Sequence, residues 1–147
     1  MSQTMLAVTF ALALLPVKSI AAEGEEPPLI DIMTALQTYS HKADLSLRAK
    51  NIELLRFYTH ELEEAIDELD AVESYGGFPI SQKARTIMKP AYQQFENAVK
   101  GGDFQLIETK FEAMVTTCNS CHGATDRGFI VIKRTDANPF MQDFGIH

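Results

Sequence analysis

The chain has few basic residues for its length. Its 147 residues include 13 Lys and Arg against 20 Asp and Glu, which gives a formal net charge of −7 at pH 7. An acidic chain repels the phosphates of nucleic acids and the headgroups of anionic membranes. The composition therefore argues against nucleic acid and membrane surfaces as partners. Apolar residues make up an ordinary 46%, which indicates one globular domain rather than a disordered chain.

The sequence also lacks an apolar run long enough to span a bilayer, which takes about 20 residues. Its apolar run at residues 6–17 is followed by small residues that suit a signal peptidase, Ser19-Ile20-Ala21-Ala22. We expect residues 1–22 to be a signal peptide and residues 23–147 to form one periplasmic domain with no membrane anchor. Because residues 1–5 contain no Lys or Arg, an uncleaved anchor or a buried helix stays the alternative.

Strand-like alternation of apolar and polar residues is missing over most of the chain, which argues against a sheet. Apolar residues instead recur at three- and four-residue steps. We predict an all-α, antiparallel up-down-up-down four-helix bundle with a C-terminal extended tail. The predicted helices cover approximately residues 29–50, 51–74, 81–100 and 103–123. Asn51 and Asp103 are expected N-caps, and Pro90 should break or kink the third helix. Gly128–Ile132 is the one stretch that suits a short strand.

Only two cysteines are present, and both lie in the stretch Cys118-Asn119-Ser120-Cys121-His122. C-x-x-C-H is the attachment motif of a c-type haem. Cys118 and Cys121 would form thioethers with the porphyrin, and His122 would be the proximal iron ligand. A redox dithiol, which normally follows a strand, and a zinc site, which needs four ligands, stay open as alternatives. Export agrees with haem, because bacteria attach haem to apocytochromes outside the cytoplasm.

The motif lies at the end of the last predicted helix, and in this respect residues 29–123 resemble the cytochrome c prime superfamily. Ordinary class I cytochromes c carry the same motif near their N-terminus. The segment 118–144, with Gly128–Ile132 and Pro139-Phe140, is similar to a group of small, mostly uncharacterised proteobacterial c-type cytochromes. The stretches around His41 and at residues 51–69 are similar to the same group. The tail beyond the motif departs from typical cytochromes c prime.

The resemblance implies a fold, a cofactor and a function. It implies one covalently attached haem c in a periplasmic protein that transfers single electrons between redox partner proteins and is not an enzyme. The alternative is a protein that binds nitric oxide or carbon monoxide at an open distal site. Bundle cytochromes of this kind often pair through their first two helices, so a homodimer is an additional expectation.

Two residues are candidates for the sixth position of the iron. In an antiparallel bundle the start of the first helix meets the end of the last. Met33 lies there on the inward stripe, whereas His41 is about 12 Å farther along and roughly 80° away around the helix axis. We therefore take Met33 as the distal candidate and His41 as its alternative. A core methionine, a surface histidine and an open distal site are the competing interpretations.

Charged residues give two further expectations. Arg127, Lys133 and Arg134 are candidates for ion pairs with the haem propionates. Residues 61–70 give one face of the second helix a high negative charge. A redox partner with a basic patch would dock on that face in a salt-dependent manner, unless the run is simply a solvated helix face.

Overall fold

The computed structural model describes residues 28–147, so the predicted signal peptide at residues 1–22 lies outside the described residues. Within the described range the chain is all-helical, as predicted, with four helices and no strand. None of these helices is both long enough and apolar enough to cross a membrane. The helices are α1 (Leu29–Arg48), α2 (Ile52–Ala71), α3 (Ile80–Lys83, Ala84–Met88 and Lys89–Gly101) and α4 (Phe104–Gly123).

The helix ends carry the predicted caps. The side chain of Asn51 accepts a hydrogen bond from the N–H of Leu54 at 3.2 Å, and that of Asp103 accepts one from Gln105 at 2.9 Å. Each cap satisfies an N–H that has no partner inside its own helix. Gly102 ends α3 with a φ of 77°, a left-handed conformation that glycine adopts without steric cost. Both predicted N-caps are confirmed.

Pro90 widens α3 instead of breaking it. Residues Ala84–Met88 form a π-helical turn, and Pro90 lies in the first turn of the α-helical part that follows. Proline cannot donate to the carbonyl four residues earlier, and its ring crowds that carbonyl. The wider π turn accommodates this defect while the chain stays helical. The turn also leaves Ala84 and Met88 buried.

The four helices enclose one main core. α1 packs against α2, α3 packs against α4, and further contacts join α2 to α3 and α1 to α4. The rings of Phe95 and Phe111 meet edge to face in this core, with centroids 5.4 Å apart. Burying an aromatic or large aliphatic side chain contributes about 1.5–3 kcal/mol, so the core fixes how the helix ends are placed.

The chain after α4 contains neither helix nor strand over residues 124–147. The predicted short strand at Gly128–Ile132 is therefore wrong. Gly128 and Phe129 form a turn, and the part of the chain that the structure describes offers no second strand for a ladder. The backbone of Ile132 hydrogen bonds instead to a side chain of α4, that of Asn119.

The end of the chain returns to α2. The side chain of Asn51 donates a hydrogen bond to the carbonyl oxygen of Gly145 at 2.8 Å, and Phe144 is buried in the core. The hydroxyl of Tyr58 donates to Gln142 at 2.5 Å. Asn51 therefore has two functions, since it caps α2 and also holds the C-terminal residues.

Candidate functional site

A mostly apolar cavity lies among the four helices and the residues that follow α4. Its volume is about 260 Å³, close to the lower end of the roughly 300–1,000 Å³ of a usual small-molecule pocket. We call it the motif cavity. Apolar side chains that line it include Leu29, Met33, Leu36, Leu69, Ile80 and Met88.

All three residues predicted from the motif line this cavity. Cys118, Cys121 and His122 lie at positions i, i+3 and i+4 of α4, a spacing that places side chains on one helix face. Ser120, between the cysteines, is exposed and donates a hydrogen bond to the carbonyl of Thr116 in its own helix. The end of α4 therefore presents two thiols and one imidazole together on an apolar wall.

The imidazole of His122 is held by a backbone carbonyl. Its Nδ1 lies 2.9 Å from the carbonyl oxygen of Ile130. A carbonyl oxygen only accepts, so Nδ1 carries the hydrogen and donates it. In the neutral ring Nε2 is then unprotonated, which is the form that binds a metal ion. Sequence reasoning missed this contact, because a backbone carbonyl has no residue-type signature.

Burial keeps both cysteines in their thiol form. It raises the pKa of Cys118 to about 11. It also raises the pKa of Cys121, with partial opposition from the charge of Lys83. Redox dithiol proteins instead lower the pKa of their attacking cysteine. The two thiols are not joined by a disulfide, and their surroundings do not activate either of them for exchange.

The described part of the chain contains no cluster of zinc ligands. Among residues 28–147 no group of three or more His, Cys, Asp or Glu side chains comes together to hold a metal ion. A tetrahedral structural zinc site needs four such ligands.

The two distal candidates lie in different places. Met33 lines the motif cavity from α1, together with Met88 from α3. His41 does not line it, and its ring packs edge to face on Phe140 with centroids 5.2 Å apart. The buried Nε2 of His41 has no hydrogen-bond partner among the described residues. The structure therefore brings Met33, and not His41, together with the motif.

Of the three basic residues expected near the site, only Arg127 lines the motif cavity. Its guanidinium lies over the ring of Tyr75, 5.4 Å from the centroid, and donates a hydrogen bond to the carbonyl of Thr125. Lys133 and Arg134 line a second, smaller cavity instead.

That second cavity contains an ion-pair network around a buried aspartate, which the sequence did not reveal. Arg134 donates hydrogen bonds to Asp44 of α1 and to Glu108 of α4, and Asp44 is only 2% exposed. Burial by itself would lower the pKa of Arg134, but the bonds to both carboxylates outweigh it and raise that pKa. We call this the Arg134 cavity.

Part of the acidic face of α2 is neutralised within the chain. Asp70 binds Arg85 at 2.5 Å and Lys89 at 2.7 Å. These bonds, first that from Lys89, lower the pKa of Asp70. Glu64 and Glu68 of the same run are exposed.

The comparisons add no relative from which roles could be transferred. Neither the protein-family models, nor the curated proteins, nor the solved structures include a match to this chain. The functional argument therefore depends on the side chains that line the motif cavity.

Proposed function

We propose that this chain is a periplasmic monohaem c-type cytochrome, not an enzyme, that transfers single electrons between redox partner proteins. The observation that carries the proposal is that Cys118, Cys121 and His122 line one mostly apolar cavity. Two thiols and an adjacent imidazole are the groups that covalent haem attachment requires. Apolar walls suit a porphyrin and limit its contact with solvent, so the residues present fit this group.

Each residue of the motif has a defined task in this proposal. Cys118 and Cys121 supply the two thioether sulfurs, and His122 supplies Nε2 as the proximal ligand. The bound iron would exchange one electron between its ferrous and ferric states. Donation from Nδ1 to the carbonyl of Ile130 orients the imidazole and raises its basicity as a ligand.

We propose Met33 as the sixth ligand. Met33 lines the motif cavity from α1 while His122 lines it from α4. A thioether ligand favours low-spin iron and raises the reduction potential, which suits electron transfer. Arg127, which also lines this cavity, is the candidate partner for a propionate.

The finer architecture and the family are part of the same proposal. Short connections at residues 49–51 and 102–103 favour an antiparallel up-down-up-down bundle, completed by a C-terminal extended tail. The position of the motif at the end of the last helix supports membership of the cytochrome c prime superfamily. A signal peptide at residues 1–22 would deliver the chain to the periplasm.

The distribution of charge indicates which surface a redox partner would bind. The exposed Glu64 and Glu68 give a basic redox partner an acidic face on α2, and such docking weakens as salt rises. A homodimer through α1 and α2 stays a prediction, to be checked by the mass of the haem-loaded protein in solution.

A visible spectrum of the full chain, expressed with haem-attachment machinery, tests the function. We expect a Soret band, a low-spin spectrum in both oxidation states, and no change when carbon monoxide is added to the reduced protein. A high-spin spectrum that changes with carbon monoxide would favour the gas-binding alternative. Absence of a Soret band would contradict both.

A further inference from the structure

The segment that follows the turn after α4 has an alternating pattern of contacts. Ile130 and Ile132 line the motif cavity, and Arg134 binds Asp44 and Glu108. The intervening Val131 and Lys133 are exposed. Alternate residues of an extended chain point to opposite sides, so residues 130–134 lie along the bundle with every second residue turned inward. We call this stretch the strap.

The strap is fixed to the motif by one side chain, that of Asn119. Its Nδ2 donates to the carbonyl oxygen of Ile132 at 2.9 Å, and its Oδ1 accepts from the N–H of Ile132 at 2.7 Å. A single amide thereby satisfies both backbone groups of one residue, as a neighbouring strand would. Asn119 is one of the two residues between the cysteines.

Few apolar contacts hold the strap apart from these bonds. Ile130 is 43% exposed and Val131 is 68% exposed. A segment with little buried apolar surface opens locally at low free-energy cost. The strap therefore depends on its polar contacts. These are the turn bond from the N–H of Ile130 to the carbonyl of Arg127 at 2.8 Å, the bonds of Asn119 at its middle and the ion pairs of Arg134 at its end.

We propose that Asn119 is a positioning residue that holds His122 through the strap. By fixing Ile132, it keeps the carbonyl of Ile130 within hydrogen-bond distance of the Nδ1 of His122, 2.9 Å away. That bond keeps the hydrogen on Nδ1 and leaves Nε2 to the metal. The relevance to iron rests on the proposed function, whereas the contacts belong to the chain alone. Asn119 thus adds a positioning role to a motif position that the attachment chemistry leaves unspecified.

The exchange of the His122 Nδ1 proton with solvent measures this role directly. In the reduced, haem-loaded protein, nitrogen-edited NMR should show a protected Nδ1 proton, because the Ile130 carbonyl accepts it. We expect Asn119→Ala to accelerate its exchange about tenfold, because the two hydrogen bonds to Ile132 that oppose opening of the strap are lost. A residue that only stabilised the fold would not change this one proton selectively.

Two further variants make the test specific. Ser120→Ala changes the other residue between the cysteines, whose hydroxyl bonds only within α4, and should leave the exchange rate unchanged. Asn119→Asp keeps the acceptor for the Ile132 N–H but loses the donor to its carbonyl, so its rate should be intermediate. It also supplies the comparison if the alanine variant does not fold.

The outcomes separate this inference from the proposed function. Equal exchange rates in the parent and in the folded Asn119 variants would overturn the positioning role. If Cys118 and Cys121 carry no haem, the proposed function fails. The same exchange comparison on the haem-free chain then still decides whether Asn119 holds His122 through the strap.

Discussion

The motif cavity and the Arg134 cavity are neighbours with opposite chemistry. Gln37, Ser40 and Ile132 line both of them. The motif cavity has mainly apolar walls with two thiols and an imidazole, while the Arg134 cavity contains an arginine bonded to the carboxylates of Asp44, Glu108 and Glu112. The same strap covers both, with Ile132 between them.

This difference in lining indicates a different role for each cavity. Apolar surface that stays in contact with water contributes nothing to stability, so the apolar walls of the motif cavity favour a site for an apolar ligand. The charges of the Arg134 cavity are paired with one another, although Oδ2 of Asp44 and Nε2 of His41 have no hydrogen-bond partner among the described residues. We therefore interpret the motif cavity as the cofactor site and the Arg134 cavity as the attachment point of the strap.

Removing Arg134 should have the largest effect on stability. Arg134→Met leaves the buried Asp44 with only the partly exposed Arg48, 3.2 Å away, which should cost about 1–3 kcal/mol. Denaturant unfolding of the haem-loaded protein measures this loss. Lys133→Met is the matched control, because Lys133 is exposed on the same strap and should change the free energy of unfolding by less than about 0.5 kcal/mol.

A double variant sharpens the same comparison. In Asp44→Leu combined with Arg134→Met no charge is left buried between α1 and the strap, so much of the lost stability should return. If the double variant is as unstable as Arg134→Met alone, the cost does not come from the unpaired carboxylate.

Met33→Ala should convert the iron from low-spin to high-spin without unfolding the protein. Met33 and Met88 both line the motif cavity, whereas His41 lines the Arg134 cavity. The visible spectrum should therefore respond to Met33→Ala and stay low-spin in Met88→Ala and His41→Gln. A high-spin spectrum in His41→Gln alone would show that the two cavities do not divide their functions in this way.

The exposed ion pairs of α2 should give the smallest effect, and one that depends on pH. The pKa of Asp70 is lowered in the folded state by its bonds to Lys89, Ser81 and Arg85. Because the pKa of Asp70 is lower in the folded state than in the unfolded state, its ion pairs stabilise the fold fully at a pH above the unfolded-state pKa. That stabilisation is lost as the pH falls through the folded-state pKa. The difference in unfolding midpoint between the parent and Asp70→Asn should be small at pH 7, should shrink as pH falls below the usual aspartate pKa of about 3.9, and should vanish below the lowered folded-state pKa.

If the difference in unfolding midpoint between the parent and Asp70→Asn stayed constant across that pH range, the ion pairs of Asp70 would be excluded as its cause.

The sequence predicted those parts of the site that local spacing determines. Positions 118, 121 and 122 share a face of any helix, and Met33 follows from the inward stripe of α1, so their meeting at one cavity was foreseeable. Pro90 marked an irregularity in α3, although its form, a π turn, depends on how the neighbouring helices pack.

The contacts of the strap were not predictable in the same way. Arg134 and Asp44 are remote in sequence, and neither residue type specifies the other as its partner. The bonds of Asn119 and His122 go to backbone atoms of Ile132 and Ile130, which every residue possesses. Sequence periodicity identified helices, but nothing local indicated that a non-helical segment would lie along the end of α4.

The central claim is that Cys118 and Cys121 attach one haem to the end of α4. Mass spectrometry of the tryptic peptide 111–127, which contains both cysteines, tests it in protein expressed with haem-attachment machinery. The account predicts a peptide heavier by one haem, with neither thiol reactive to alkylation. An unmodified peptide in which both thiols are alkylated would contradict it.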